Sequence, residues 1–267
     1  MFRIIAAAIG ILIAAGAAQA DSGLRRLDTG DEGRGWEAVG RLDIGGRGFC
    51  TGTLIAPDLV LTAAHCLYDK RTGRRIDPAG IEFLAGWRNG RASAQRRIRR
   101  AVAHPDYVFE AAVSPERVRN DVALLELYHP IRNTRIVPLR TDSRPRTGQE
   151  IGVVSYGRDR AEAPSLQEVC NVMASQQGVL VMSCDVDFGS SGAPVLSFEA
   201  GEARVVSVVS AMAEVEGRKV SLGTGLQEPL RVLSEELAAG HGFFQPAAPS
   251  MATVGERRET GAKFARP

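Results

Sequence analysis

An all-β fold, a barrel or a sandwich, is the architecture this sequence predicts, and three observations lead there. Short apolar runs recur along the chain, turn-forming residues stand between them, and one convincing helical period appears, late in the chain. The runs include Thr53–Ile55, Leu59–Thr62, Ile81–Leu84, Val122–Leu125, Ile151–Val154 and Val205–Val209, with Ala56-Pro57-Asp58 as a turn between the first two. The polar stretch Thr141–Gly148 divides two β-rich halves of similar length and is the expected linker between them.

Taken in order, the chain opens on a short basic start, Met1-Phe2-Arg3, then an apolar run to Ala18 and a small-x-small site, Ala18-Gln19-Ala20. The run is too short and too rich in Ala and Gly for a membrane span and ends on a cleavage pattern, so residues 1–20 are expected to be a removed signal peptide. A secreted or periplasmic protein without stable membrane insertion is the expectation. Residues 21–35, charged and glycine-rich, read as an exposed lead-in. The folded unit is expected over 36–240. Its short C-terminal helix is marked by Leu226, Leu230, Leu233 and Leu237, with Pro229 suited to a first turn. Residues 241–267 are rich in Pro, Ala, Ser and charge and read as a disordered tail.

Hydrophobic residues make up 44% of the 267, enough for a sizeable core, and the formal net charge is +2. Arg96, Arg97, Arg99 and Arg100 form a local basic cluster. Without interleaved aromatic residues they read as a solvated strand or loop face, and no nucleic-acid partner is expected. Cys50, Cys66, Cys170 and Cys184 are an even set in an exported chain, so disulfides are the default. Of the possible pairings, proximity favours Cys50–Cys66 and Cys170–Cys184. No CxxC or HxxxH spacing supports a metal site, and neither metal nor cofactor is expected.

Three segments carry candidate chemistry. In Thr62-Ala63-Ala64-His65-Cys66 a histidine ends an apolar strand behind two small residues that would let a turn pack closely. Alone, it could equally be a structural histidine. Asp121 heads the apolar run that follows, where an ionised carboxylate needs a partner. Phe188-Gly189-Ser190-Ser191-Gly192-Ala193-Pro194 sets two serines between glycines, which permit unusual dihedrals and close backbone approach. The string lacks the G-x-S-x-G spacing of an α/β-hydrolase.

Together these segments resemble the trypsin/chymotrypsin family of serine proteases, and within it the bacterial secreted branch. The histidine motif T-A-A-H-C stands unaltered at Thr62–Cys66, D-[IV]-A-L-L at Asp121–Leu125, and G-D-S-G-G-P as Gly189–Pro194 with two substitutions. The order His, Asp, Ser is also this family's. Gly52–Ile55, His104-Pro105 and Val154–Gly157 extend the likeness. The resemblance implies two six-stranded antiparallel β-barrels, about 36–140 and 149–225, with the site between them. It implies a serine endopeptidase with the triad His65, Asp121 and Ser191, an oxyanion hole from the N–H groups of Gly189 and Ser191, protein or peptide substrates, and a monomer. It also implies a Cys50–Cys66 bridge beside the histidine. A Cys170–Cys184 bond, which fits the family's common spacing less well, would anchor the pocket wall.

Two departures matter. Ser190 stands where zymogens of the family carry an aspartate that pairs with a new N-terminal amine, and no R-[IV]-[IV]-G-G activation site precedes Trp36. The missing acid and missing amine agree, since either charge alone would be buried unpaired. The active conformation is therefore expected not to need N-terminal insertion, as in glutamyl endopeptidase-like members. Counting back from Ser191, Asp185 falls at the base of the family's primary pocket, implying a taste for Arg or Lys, though it could be an ordinary loop residue. Ser210-Ala211-Met212 replaces the family's S-W-G substrate-binding segment, making Ser210 a candidate contact and Met212 a possible narrowing of the entrance. The rival function is a catalytically silent protease-like binding protein. An α/β-hydrolase esterase conflicts with motif order.

Overall fold

A strand covered on both faces reads as an unbroken apolar run, and that is how the centre of this molecule is built. The structure is a computed structural model describing residues 23–109, 112–142, 145–199 and 201–244. Strands β1 (Leu24–Arg26), β2 (Val39–Ile44), β3 (Phe49–Ala56), β4 (Leu59–Thr62), β5 (Ile81–Ala85), β6 (Ala94–Ala103) and β7 (Ala123–Leu127) come first. Strands β8 (Arg140–Thr141), β9 (Glu150–Gly157), β10 (Arg160–Gln176), β11 (Val179–Met182), β12 (Pro194–Glu199), β13 (Glu202–Val215), β14 (Arg218–Gly225) and β15 (Phe243–Phe244) follow. Helix α1 spans Pro115–Asn120 and α2 Gln227–Ala238.

Two closed rings of six strands result. The first runs β6-β5-β2-β3-β4-β7 and closes by β6 pairing β7. The second runs β9-β10-β11-β14-β13-β12 and closes by β12 pairing β9. All pairings within the rings are antiparallel. This is the double barrel expected.

Period-2 alternation sorts residues among three apolar clusters. In β7, Ala123, Leu125 and Leu127 fill the first barrel, while Leu124, with Val122 just before it, faces the seam between barrels. In β9, Ile151 and Val153 fill the second barrel and Val154 and Tyr156 face the seam. Helix α2 adds Leu226 and Leu233 to that seam, as its spacing predicts, with Leu230 and Leu237 packed beside them.

The first and last described strands cross over. β1 pairs with β10 of the second barrel, and Leu27 just beyond it is fully buried in the seam. Within the expected lead-in, 23–35 is no mere exposed stretch: Leu24–Arg26 has a free strand edge to pair with and Leu27 an apolar seam to enter. β15 pairs with β6 of the first barrel, so the stretch from 241 begins ordered, its strand laid along that edge. The expected signal peptide and residues 245–267 lie outside the described residues. Arg100, read above as solvated, is buried on β6 and ion-pairs with Glu126 at 2.8 Å, whereas Arg97 and Arg99 are exposed as expected. The short helix α1 was not anticipated. Ser114 caps it by accepting from Arg117 N at 3.2 Å, and Pro115 opens it. Among the described residues no helix is long and apolar enough to cross a membrane.

Candidate active site

Pairing of β4 with β7 sets Thr62 opposite Ala123. The chain leaving β4 therefore passes the chain entering β7, and His65 meets Asp121 there. His65 lies in a 3-10 turn, Ala64–Leu67, backed by fully buried Ala63 and Ala64 whose small side chains let the turn close. Its Nδ1 is 2.7 Å from Asp121 Oδ2, and its backbone N–H donates to Asp121 Oδ1 at 2.8 Å. With an ionised carboxylate opposite, Nδ1 carries the proton and Nε2 is left as the ring's base.

Asp121 is buried, and a third donor reaches it from the second barrel: Ser210 Oγ donates to Oδ2 at 2.5 Å. The register of β13 shifts between Val209 and Ala211, so Ser210 sits in a bulge, the irregularity that re-aims a side chain. Expected as a substrate contact, Ser210 spends its hydroxyl on Asp121. Thr224 of β14 also reaches over, its hydroxyl donating to Val118 O at 2.5 Å and lying 3.3 Å from Asp121 O. The Tyr107 hydroxyl is pushed well above its ordinary range by burial first and the Asp121 charge second.

Ser191 comes from the loop before β12. Its carbonyl accepts from Thr51 N at 2.9 Å, and Thr51 Oγ1 donates to Gly189 O at 2.9 Å. The two glycines are required for space as much as for conformation. A Cβ on Gly192 (φ +78°) would lie 2.2 Å from Thr62 Oγ1, and one on Gly189 (φ +99°) would lie 2.3 Å from the Phe49 ring. A cavity of about 350 Å³ is lined by His65, Ser191 and Gly189 together.

Beneath the loop lies Ser190, fully buried. Its hydroxyl is 3.2 Å from Tyr156 O and from Ser155 Oγ, and it accepts from Asp187 N at 3.3 Å. The guanidinium of Arg160 sits on the same group: Nη2 donates to Ser190 Oγ at 3.3 Å, and Nη1 to Ser155 O at 2.9 Å and Ser155 Oγ at 3.0 Å. Burial lowers the pKa of Arg160, and the charges of Asp185 and Asp187 oppose that shift. Nothing in the sequence marks Thr51, Thr224 or Arg160 for these tasks, because each acts across more than one strand.

Asp185 is not brought to the centre. It is exposed, in a cavity with Phe188 and Met212 that contains neither Ser191 nor His65, and it leans electrostatically on Arg160. Both disulfides are present, Cys50–Cys66 and Cys170–Cys184. Cys50, His65 and Cys66 lie close enough together to suggest a metal site, but the bond between the two sulfurs removes their thiolates as ligands.

The trypsin family model matches residues 29–221. Mouse "Serine protease 56" is 28% identical over 138 residues, 50% of this chain and 21% of that protein. The glutamyl endopeptidase of Bacillus licheniformis is 27% identical over 158 residues, 59% of this chain and 47% of that one. A solved structure of a Glu endopeptidase in complex with MPD is similar with TM-score 0.68 at 19% identity, covering 82% of this chain and 98% of that chain. The chain spans 21% of the mouse relative and 37% of "Serine protease SP24D" from Anopheles gambiae, so these likenesses speak for one domain of longer proteins. Sheet closure, motif order and the matched span agree: the chain belongs to the trypsin family of serine proteases.

Proposed function

We propose that this protein is an exported serine endopeptidase that cuts peptide bonds through an acyl-enzyme formed on Ser191. The observation that carries the reading is the imidazole of His65, fixed by Asp121 through Nδ1 while sharing one cavity with Ser191 and Gly189. Ser191 Oγ attacks the carbonyl, and His65 Nε2 takes its proton and passes it to the departing amine. Asp121 keeps the ring in the needed tautomer and balances the imidazolium. The N–H groups of Gly189 and Ser191 receive the oxyanion, a contribution of about 2.7–4 kcal/mol per donor in such sites. Water, with His65 again as base, releases the acid. The two disulfides suit an oxidising compartment.

The cradle under Ser190 supports a site that is formed without N-terminal insertion, since Arg160 supplies an internal cation there. A bulky N-terminal fusion should therefore leave the enzyme active. A preference for Arg or Lys before the cut would rest on Asp185, whose charge is shared with Arg160. Asp185→Asn should thus change cleavage after Arg by only a few-fold.

Fluorophosphonate labelling tests the central claim. The folded wild type should be labelled and Ser191→Ala should not. A folded wild type that resists labelling would favour the silent binding protein instead.

A further inference from the structure

The proton that His65 gives up goes to the leaving amine, so the peptide after the cut bond lies on the His65 side of Ser191. That side is the cavity of about 350 Å³ described above, and its wall is charged. Arg47, Lys70 and Arg71 line it against one carboxylate, Asp69. That carboxylate is already engaged: Oδ1 accepts the N–H groups of Arg71 and Thr72 at 2.9 and 3.0 Å, and Oδ2 lies 3.6 Å from Arg47 Nη1. These N–H bonds hold its pKa below the ordinary value, so it stays ionised and occupied. Among the described residues no carboxylate lies within 4.0 Å of the charged nitrogens of Lys70 or Arg71. Lys70 and Arg71 are both exposed to incoming ligand.

The cationic wall continues across the cleft. Phe188, the residue before Gly189, is half-exposed, with Lys70 Nζ 5.8 Å from its ring centre and the Arg158 guanidinium 4.3 Å from it. Lys70 comes from the first barrel and Arg158 from the β9–β10 turn of the second. The nearby acids do not cancel them, because Asp187 accepts its neighbour Phe188 N at 2.6 Å and, with Asp185, balances Arg160.

We infer that the leaving-side cleft selects peptides with Asp or Glu in the first few positions after the cut bond. The inference rests on the peptidase reading above and adds a substrate class to it. A chain of near-neutral net charge, +2, has no general attraction for acidic peptides, so the selection is local to this wall. Solvent-exposed pairs are individually weak, so each acidic residue should raise kcat/KM by about two- to fivefold, and two together by about tenfold.

The test uses the purified mature protein and internally quenched peptides that share every residue before the cut and carry Glu-Glu, Gln-Gln or Lys-Lys after it. The expected order is Glu-Glu over Gln-Gln over Lys-Lys at low salt, with the spread shrinking at high salt as the charges are screened. Lys70→Glu/Arg71→Glu should invert the order, and Lys70→Gln/Arg71→Gln should flatten it. Arg135→Glu, an exposed charge elsewhere, matches one such change in net charge and should leave the order as in the wild type. Fluorophosphonate labelling of each variant verifies a folded, competent nucleophile. Equal cleavage of the three peptides, or an order that ignores the Lys70 and Arg71 changes, overturns the inference while leaving the peptidase reading intact. No cleavage and no labelling at all strikes that reading instead.

Discussion

At the residue scale the site turns on how completely Asp121 is satisfied. His65 N–H, His65 Nδ1–H and Ser210 O–H fill its two oxygens at 2.5–2.8 Å. Ser210→Ala removes one donor from a buried carboxylate, a loss of about 1–3 kcal/mol shared between stability and catalysis. We expect kcat to fall about tenfold with KM nearly unchanged, measured on one peptide substrate. A rise in KM alone would mean that Ser210 mainly contacts substrate. A second residue reports on pH. His104 is buried, its Nδ1 accepts from Asp106 N at 3.3 Å, and burial lowers its pKa from the ordinary 6.5. Asp106, Glu228 and Glu236 pull the value up, and Arg119 pushes it down. The unfolded chain thus binds the proton first as pH falls, so this contribution to stability is whole above 6.5 and is lost as pH drops from there toward the folded value. Melting temperature should fall between about pH 7 and 5, and His104→Gln should flatten that part of the curve. An unchanged slope would assign the loss to other groups.

At the element scale the β9–β10 hairpin supports the Ser191 loop. β10 opens at Arg160, which turns back under Gly157 and reaches Ser155 and Ser190. Replacing it with Ala forfeits charge-assisted bonds to buried groups, costing about 2 kcal/mol. Arg160→Ala should lower kcat about tenfold or more with a small change in KM, and Arg160→Lys should recover part of it. If melting temperature drops while kcat holds, the hairpin only stabilises the fold. The same hairpin shows where the sequence stops being legible. The cores of β7 and β9 were readable because both their faces are covered, which leaves an apolar run. β10 carries Gln167, Glu168, Asn171 and Ser175 among its apolar residues, several of them exposed, and its length comes from pairing with three neighbours in turn. The motifs that named His65, Asp121 and Ser191 pack locally, and the fold brings the three residues together. Arg160 and Thr224 were not legible, since Arg160 reaches the Ser190 loop and Thr224 the α1 turn before β7, both distant in sequence. Asp185 was named by counting residues along a loop, and the count does not give that it lies exposed in a cavity apart from Ser191 and His65.

At the scale of the whole molecule, each barrel's sheet carries an added strand from the other half of the chain. β1 belongs by sequence to the first half and by pairing to the second, and β15 the reverse. The seam adds Leu61, Val102 and Leu124 from one barrel to Val154, Leu166 and Val208 from the other. With β1 and β15 crossed over a shared apolar layer, the halves should unfold as one. Tryptophan fluorescence, reporting Trp36 and Trp87 packed against the seam, and far-ultraviolet circular dichroism should give superimposable denaturation curves. Two separated transitions would show the halves to be independent.

The two crossed strands also bear on how long such a molecule lasts among its own copies. Loose segments are where proteolysis starts, and under the peptidase reading proposed above each copy is surrounded by others like itself. Here the backbone of Leu24–Arg26 lies in a ladder with Ser165–Gln167, and Phe243–Phe244 lies against Arg100–Ala101. Under the proposed activity a neighbour could cut within either segment only after it peels away, so self-digestion there would be paced by local unzipping and not by the encounter rate.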